Sequence, residues 1–169
     1  MTDEISVSTA STEETRALGR RLGTILARGD LVALIGNLGA GKTTLTQGIG
    51  AGLGIDGHLR SPTFTLVNEY RLEDGVTVLH LDGYRLGETM AEAMLEADTF
   101  GMDELLDDER TIVIIEWADL VEAMLPADRL EIRIVAPDEE ATNRDFTISA
   151  TGPRSREILE QLRLGTQIA

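Results

Sequence analysis

Cysteine is absent from the 169-residue chain, which excludes a disulfide framework, cysteine-ligated zinc or iron–sulfur centres, and thiol catalysis. Aromatic residues make up only 4% of it, so leucine, isoleucine, valine and alanine must build the core. No apolar run approaches the roughly 18 residues of a membrane span. The start, Met1-Thr2-Asp3-Glu4, has neither the basic opening nor the apolar stretch of a secretory signal. These features predict a soluble, cytoplasmic protein with no membrane partner. Positive charge is scarce as well: 15 Lys and Arg stand against 30 Asp and Glu, a formal net charge of −15. Such a chain repels phosphate backbones and lacks the cations that displace their counterions. Any part it plays with RNA is expected to be indirect.

At roughly 150 residues per domain, the chain is read as one domain over residues 1–169. Ile5–Val7 reads as a short strand. Ser11 followed three residues later by Glu14 is a helix-start signature, and Leu18, Leu22, Ile25 and Leu26 then form one apolar stripe of a helix ending near Arg28. Leu31–Ile35 and Ile112–Ile115 are unbroken apolar runs of strand length, the pattern of strands covered on both faces. A helix is expected from Lys42 to about Leu53, and a loop from Gly54 to Ser61. Phe64–Leu72 and Val76–Leu81 are β-rich runs joined by Glu73-Asp74-Gly75, which favours a tight antiparallel hairpin. Met90, Ala93, Met94 and Ala97 fit a helical stripe, with a second short helix over Asp103–Asp108. Late strands at Leu130–Val135 and Phe146–Ala150 precede an amphipathic helix through Ile158, Leu159 and Leu162. The fold class that follows is a single α/β domain, a mixed β-sheet flanked by helices.

Between the first apolar strand and the next helix stands Gly36-Asn37-Leu38-Gly39-Ala40-Gly41-Lys42-Thr43, the G-x-x-x-x-G-K-[ST] pattern in the context it requires. The glycines let successive backbone N–H groups face phosphate oxygens, and the helix adds its partial positive N-terminus. Lys42 is the chain's only lysine; every other basic residue, histidine aside, is arginine. A compact ammonium fits between phosphate oxygens inside a tight loop where a planar guanidinium is too broad. Thr43 places a hydroxyl where Mg²⁺ sits between the outer phosphates of a nucleotide. The loop thus predicts a P-loop fold, with the phosphates of a nucleotide and Mg²⁺ as its guests.

Hydrolysis needs in addition a carboxylate for the metal and a group that orients water. Glu116 follows Ile112–Ile115, and Asp82 ends the run Val78-Leu79-His80-Leu81. Strand-end carboxylates of this kind gather at the sheet edge where the glycine-rich loop also lies. Glu116 is assigned to the metal and Asp82 to polarising the attacking water; the reverse assignment stays open on sequence alone. His80 alternates with Asp82 on its strand, but a lone strand histidine is more commonly a packed, hydrogen-bonded residue, and it is left out of the catalytic set.

Four segments together resemble one family: GNLGAGKTT at Gly36–Thr44, SPTFTLV at Ser61–Val67, HLDGYRL at His80–Leu86 and IEW at Ile115–Trp117. The chain is similar to TsaE, the small bacterial P-loop ATPase of tRNA threonylcarbamoyladenosine formation, in order and spacing across nearly its full length. Asn37 departs from the acidic residue often found at its position in that family. The resemblance implies an ATPase that works with TsaD- and TsaB-type partners and does not itself modify tRNA. It places nucleotide contacts along Gly36, Leu38, Gly39, Ala40, Gly41, Lys42, Thr43 and Thr44, with Thr12 and Arg144 added. It places Mg²⁺ on Thr43 and Glu116, and catalysis on Asp82 and Lys42. It also implies a switch-like loop at Ser61–Thr65 and a functional role for Trp117.

Residue chemistry alone leaves those extra segments open. Ser61–Thr65 reads equally as a phosphate-sensing loop or a solvated one, Trp117 as core filling or a cover for the site, and Tyr84 and Arg85 as an exposed pair or a partner surface. Glu88–Glu109, with nine acids and no base, reads as a solvated helix face or a docking surface for a basic partner. Two rival functions remain in view: a small-molecule kinase, against which stands the lack of an arginine-rich lid segment, and a non-enzymatic module clamped by ATP. A GTPase is disfavoured because no Asn-Lys-x-Asp segment occurs.

Overall fold

The computed structural model describes residues 3–36, 41–55, 67–83, 89–137 and 142–168. Among these, β1 (Glu4–Thr9) leads to α1 (Thr12–Ile25), β2 (Leu31–Gly36), α2 (Lys42–Gly52), β3 (Val67–Arg71) and β4 (Thr77–Asp82). There follow α3 (Met90–Phe100), α4 (Met102–Leu106), β5 (Thr111–Glu116), a 3₁₀ helix (Ala118–Met124), β6 (Leu130–Val135), β7 (Arg144–Ala150) and α5 (Pro153–Ile168). The strands form one seven-stranded sheet in the order β1-β7-β6-β2-β5-β4-β3. Strands β6, β2, β5 and β4 run parallel, while β7 on one side and β3 on the other are antiparallel to their neighbours. The mixed α/β sheet expected from the apolar runs is the one observed.

Side-chain alternation divides the core between the two faces of the sheet. Val32 and Leu34 of β2, Val78 of β4, and Ile112 and Ile114 of β5 pack with Leu18 and Leu22 of α1, Leu45 and Ile49 of α2, and Ile158 and Leu162 of α5. Leu31, Ala33, Leu79, Leu81, Val113 and Ile115 face the other way, onto Met102 and Leu106 of α4 and Val121 of the 3₁₀ helix. Because β4 and β5 are covered on both faces, β5 is unbroken apolar from Ile112 to Ile115 and β4 is apolar from Val78 to Leu81 except for the buried His80. Asp82, His80 and Glu116 share the period of Val78 and Ile114, so they belong to the α1–α2 side of the sheet.

Ser11 caps α1 as its position relative to Glu14 foretold: its hydroxyl accepts from the Glu14 N–H at 3.1 Å. The Glu14 carboxylate in turn accepts from the N–H of Ala10, one residue before the cap. Helix α1 crosses α2 at backbone contact through Gly19 and Gly23 on one side and Gly48 and Gly52 on the other; a Cβ on any of the four would lie 2.2–2.5 Å from a carbonyl oxygen of the facing helix. This crossing fixes α2 against the sheet. The β3–β4 hairpin closes on three residues: Leu72 donates to the Val76 carbonyl at 2.8 Å, Gly75 donates back to the Leu72 carbonyl at 3.0 Å, and Gly75 takes φ 89°. The part of the expected strand before Val67 lies outside the described residues, as do the side chains of Met90, Ala93, Met94 and Ala97.

Candidate functional site

The three parallel strands at the middle of the sheet deliver their last residues to one edge. Leu34 of β2 pairs with Glu116 of β5, and Glu116 pairs with Asp82 of β4. Gly36, two residues beyond Leu34, ends β2 beside them. Both carboxylates and the start of the glycine-rich loop therefore meet at the carboxyl end of the parallel strands, where α/β sheets bind ligands. The close approach of β4 to β5 continues at Gly83, where a Cβ would lie 2.5 Å from the Trp117 carbonyl oxygen. No larger residue fits there without moving Asp82.

Helix α2 begins at this edge. Gly41 precedes its first turn in the left-handed conformation, φ 105° and ψ 13°, which only glycine adopts without strain, and a glycine brings no side chain to cap the amides that follow. Lys42 opens the helix and is 5% exposed. Its ammonium donates to the Gly36 carbonyl at 2.5 Å and lies 4.2 Å from the centre of the Trp117 ring. Burial pushes its pKa below the ordinary lysine value, against the opposing pull of Glu116, Asp82 and Asp119. The ammonium is thus a desolvated cation held among three carboxylates and against an aromatic face.

Trp117 reaches Lys42 because its own backbone turns sharply. It is the one non-glycine residue with positive φ among the described residues, at 56°. That turn ends β5 and starts the 3₁₀ helix, which sequence reasoning did not foresee. The ring is only half-buried and stands over the site, not in the core. Asp119, in the first turn of the 3₁₀ helix, was also not anticipated; its Oδ1 is buried and accepts no hydrogen bond among the described residues. No local signal marks it, since its proximity to Lys42 depends on the turn at Trp117.

His80 was read as a packed, hydrogen-bonded residue, and it is one: it is 1% exposed and its Nε2 lies 2.6 Å from Oε2 of Glu116, itself 3% exposed. Its partner was not legible. Thr43 is exposed and Thr44 half-buried in the first turn of α2, with Thr46 Oγ1 bonding back to the Lys42 carbonyl at 2.7 Å. Arg144, first residue of β7, pairs with Thr9 across the sheet, and its guanidinium passes beside Gly41, where Nε would sit 3.4 Å from an added Cβ. Thr12 begins α1 three residues after Thr9. Thus Gly36, Gly41, Lys42, Thr43, Thr44, Asp82, Glu116 and Arg144 converge, while Leu38, Gly39 and Ala40 lie outside the described residues, as do Ser61–Thr65, Tyr84 and Arg85.

The Thr43 hydroxyl and the Asp82 and Glu116 carboxylates are hard oxygen donors of the kind Mg²⁺ takes, and this ion is usually held by one or two carboxylates together with substrate phosphates. Among the described residues no three His, Cys, Asp or Glu side chains group to hold a metal unaided. The donor set fits an ion that arrives with a nucleotide. No helix among the described residues is long and apolar enough to cross a membrane.

Known proteins resemble this one over nearly its whole length. The sequence profile of "Threonylcarbamoyl adenosine biosynthesis protein TsaE" matches residues 9–146. The tRNA threonylcarbamoyladenosine biosynthesis protein TsaE of Bacillus subtilis strain 168 is 40% identical over 156 residues, 91% of this chain and 90% of the relative. The protein of the same description from Streptomyces coelicolor is 40% identical over 142 residues, covering 82% of this chain and 92% of its own length. A crystal structure of YdiB from Bacillus subtilis superposes with a TM-score of 0.74 at 33% identity, covering 98% of each chain. By the reach of that profile and the length of chain these relatives share, the protein belongs to the TsaE family.

Proposed function

We propose that this protein binds and hydrolyses MgATP and thereby serves the formation of threonylcarbamoyladenosine in tRNA, acting on partner proteins of the TsaD and TsaB type and not on the RNA itself. The observation that carries the reading is the buried ammonium of Lys42 at the mouth of the glycine-rich loop, flanked by two carboxylates that end adjacent strands. The relatives' description supplies the pathway. The formal net charge of −15 supports the division of labour, because a chain this acidic leaves the RNA to another subunit.

In this reading the backbone amides of Gly36–Thr44 and the helix start cradle the phosphates, and Lys42 exchanges its hold on the Gly36 carbonyl and the Trp117 ring for the outer phosphate oxygens. Arg144 and Thr12 border the nucleotide from β7 and α1. Thr43 and Glu116 would hold Mg²⁺, which when bound would supply charge neutralisation at the phosphates. Asp82 accepts a hydrogen bond from the attacking water and orients it in line with the terminal phosphorus. Water oxygen bonds to that phosphorus as the bond to the bridging oxygen breaks, releasing ADP and inorganic phosphate. Binding and turnover separate at Asp82: Asp82→Asn is expected to keep ATP affinity within a few-fold of wild type and to lose turnover. The check is ADP release measured with and without TsaD- and TsaB-type proteins. Wild-type turnover that the partners do not alter, rapid acceptor-dependent ADP release with a metabolite panel, or retained turnover in Asp82→Asn would each overturn a stated part of the reading.

A further inference from the structure

We propose that His80 is a positioning residue that sets the Glu116 carboxylate for the divalent cation. The proposal rests on the MgATP reading above and assigns a task within that same site. His80 pairs in register with Ile114, and Asp82 with Glu116, so the imidazole lies diagonally beside Glu116 on the same face of adjacent parallel strands. Its Nε2 is 2.6 Å from Oε2, both groups are almost wholly buried, and a carboxylate can only accept, so Nε2 carries the hydrogen and donates it.

Two features distinguish this contact from ordinary core packing. On its own face of the sheet His80 lies between Val78 and Asp82 of β4, beside Ile112, Ile114 and Glu116 of β5, and pairs in register with Asn68 of β3, so a leucine would keep the bulk but would leave a buried Glu116 oxygen without the imidazole that reaches it at 2.6 Å. Glu116 also has three rotatable side-chain bonds, and a hydrogen bond that holds Oε2 restricts the rotamers its carboxylate can take. Groups that hydrogen-bond a metal-binding carboxylate from behind typically govern metal affinity by about 10- to 100-fold. The role acts through Glu116, and no contact of His80 with nucleotide is required.

The test uses the full chain and follows ATP binding by calorimetry, first in EDTA and then across a Mg²⁺ titration. His80→Leu removes the donor at similar bulk; His80→Asn keeps polarity but is too short to reach, and carries the test if the leucine variant does not fold. His80→Gln places an amide nitrogen near the position of Nε2. The expected result is a half-saturating Mg²⁺ concentration raised about 10- to 100-fold in the leucine and asparagine variants. Their ATP affinity in EDTA should stay near wild type, and the glutamine variant should recover most of the Mg²⁺ response. Unchanged Mg²⁺ dependence, an equal loss of affinity in EDTA, or failure of glutamine to rescue would each overturn the proposal. Failure of the wild-type chain itself to bind ATP would instead overturn the MgATP reading on which it stands.

Discussion

Substituting Gly23 by alanine pits helix propensity against the α1–α2 crossing, and the geometry decides the sign. In a free helix the change stabilises by about 1 kcal/mol. Here the new methyl would lie 2.3 Å from the Ile49 carbonyl oxygen, about 1 Å short of the 3.4 Å at which ordinary contact begins, with Gly52 backbone atoms at 2.9 and 3.0 Å behind it. These are backbone atoms, so relief requires the helices to part. Overpacking typically costs about 1–3 kcal/mol, and contact with backbone places this site near the upper figure. The expected net loss is about 2 kcal/mol, a fall in Tm of roughly 4–8 °C for a chain of this length. Gly165→Ala is the control: its Cβ meets only the end of the Arg21 side chain at 2.8 Å. That guanidinium can swing aside at the loss of its hydrogen bond to the Leu162 carbonyl, so propensity and hydrogen bond should nearly cancel. Thermal unfolding followed by circular dichroism reads both variants. A Tm for Gly23→Ala equal to or above wild type would refute the claim that the two backbones are in contact.

Two further predictions concern the far end of the sheet. Asp30 is buried and receives Arg154 through paired contacts of 2.9 Å, so Arg154→Met should destabilise by about 1.5–3 kcal/mol in denaturant titration by leaving that carboxylate without its counter-charge, held among the described residues only by the Ala27 N–H at 2.7 Å; an unchanged midpoint would show that the pair contributes nothing. Asp128 caps α5: burial pushes its pKa up, but hydrogen bonds from Ser155 and the Arg154 N–H outweigh it and hold the carboxyl below its usual value. Since the folded chain binds that proton less readily than the unfolded chain, the contribution is complete above about pH 4 and fades as pH falls through the depressed value. Asp128→Asn should therefore narrow its stability gap to wild type on acidification, as measured by denaturant titration across pH; a constant gap would refute the assignment.

The parts legible in the sequence are those written in local pattern. Apolar runs of strand length announced β2 and β5, Ser11 and Glu14 announced the start of α1, and the Gly36–Thr43 spacing announced the loop that meets two strand-end carboxylates. What was not legible depends on partners distant in the chain or on a single torsion. The positive φ of Trp117 creates the 3₁₀ helix and brings Asp119 toward Lys42, yet no residue nearby signals it. Likewise His80 shows its alternation with Asp82, but its bond to Glu116 exists only once β4 and β5 are in register. Gly19, Gly23, Gly48 and Gly52 look like weak helix residues until the two helices are seen to cross through them.

Calorimetric titration of MgATP into the wild-type chain and into Lys42→Ala tests the account at its centre. Removing a charge-assisted contact of about 1.5–3 kcal/mol should weaken binding roughly ten- to a hundredfold or more, while wild-type binding should be saturable and accompanied by a change in Trp117 fluorescence as the ammonium leaves its ring. Equal affinity in the two proteins, or no heat of binding in wild type, would contradict the claim that this lysine and its loop form a nucleotide site.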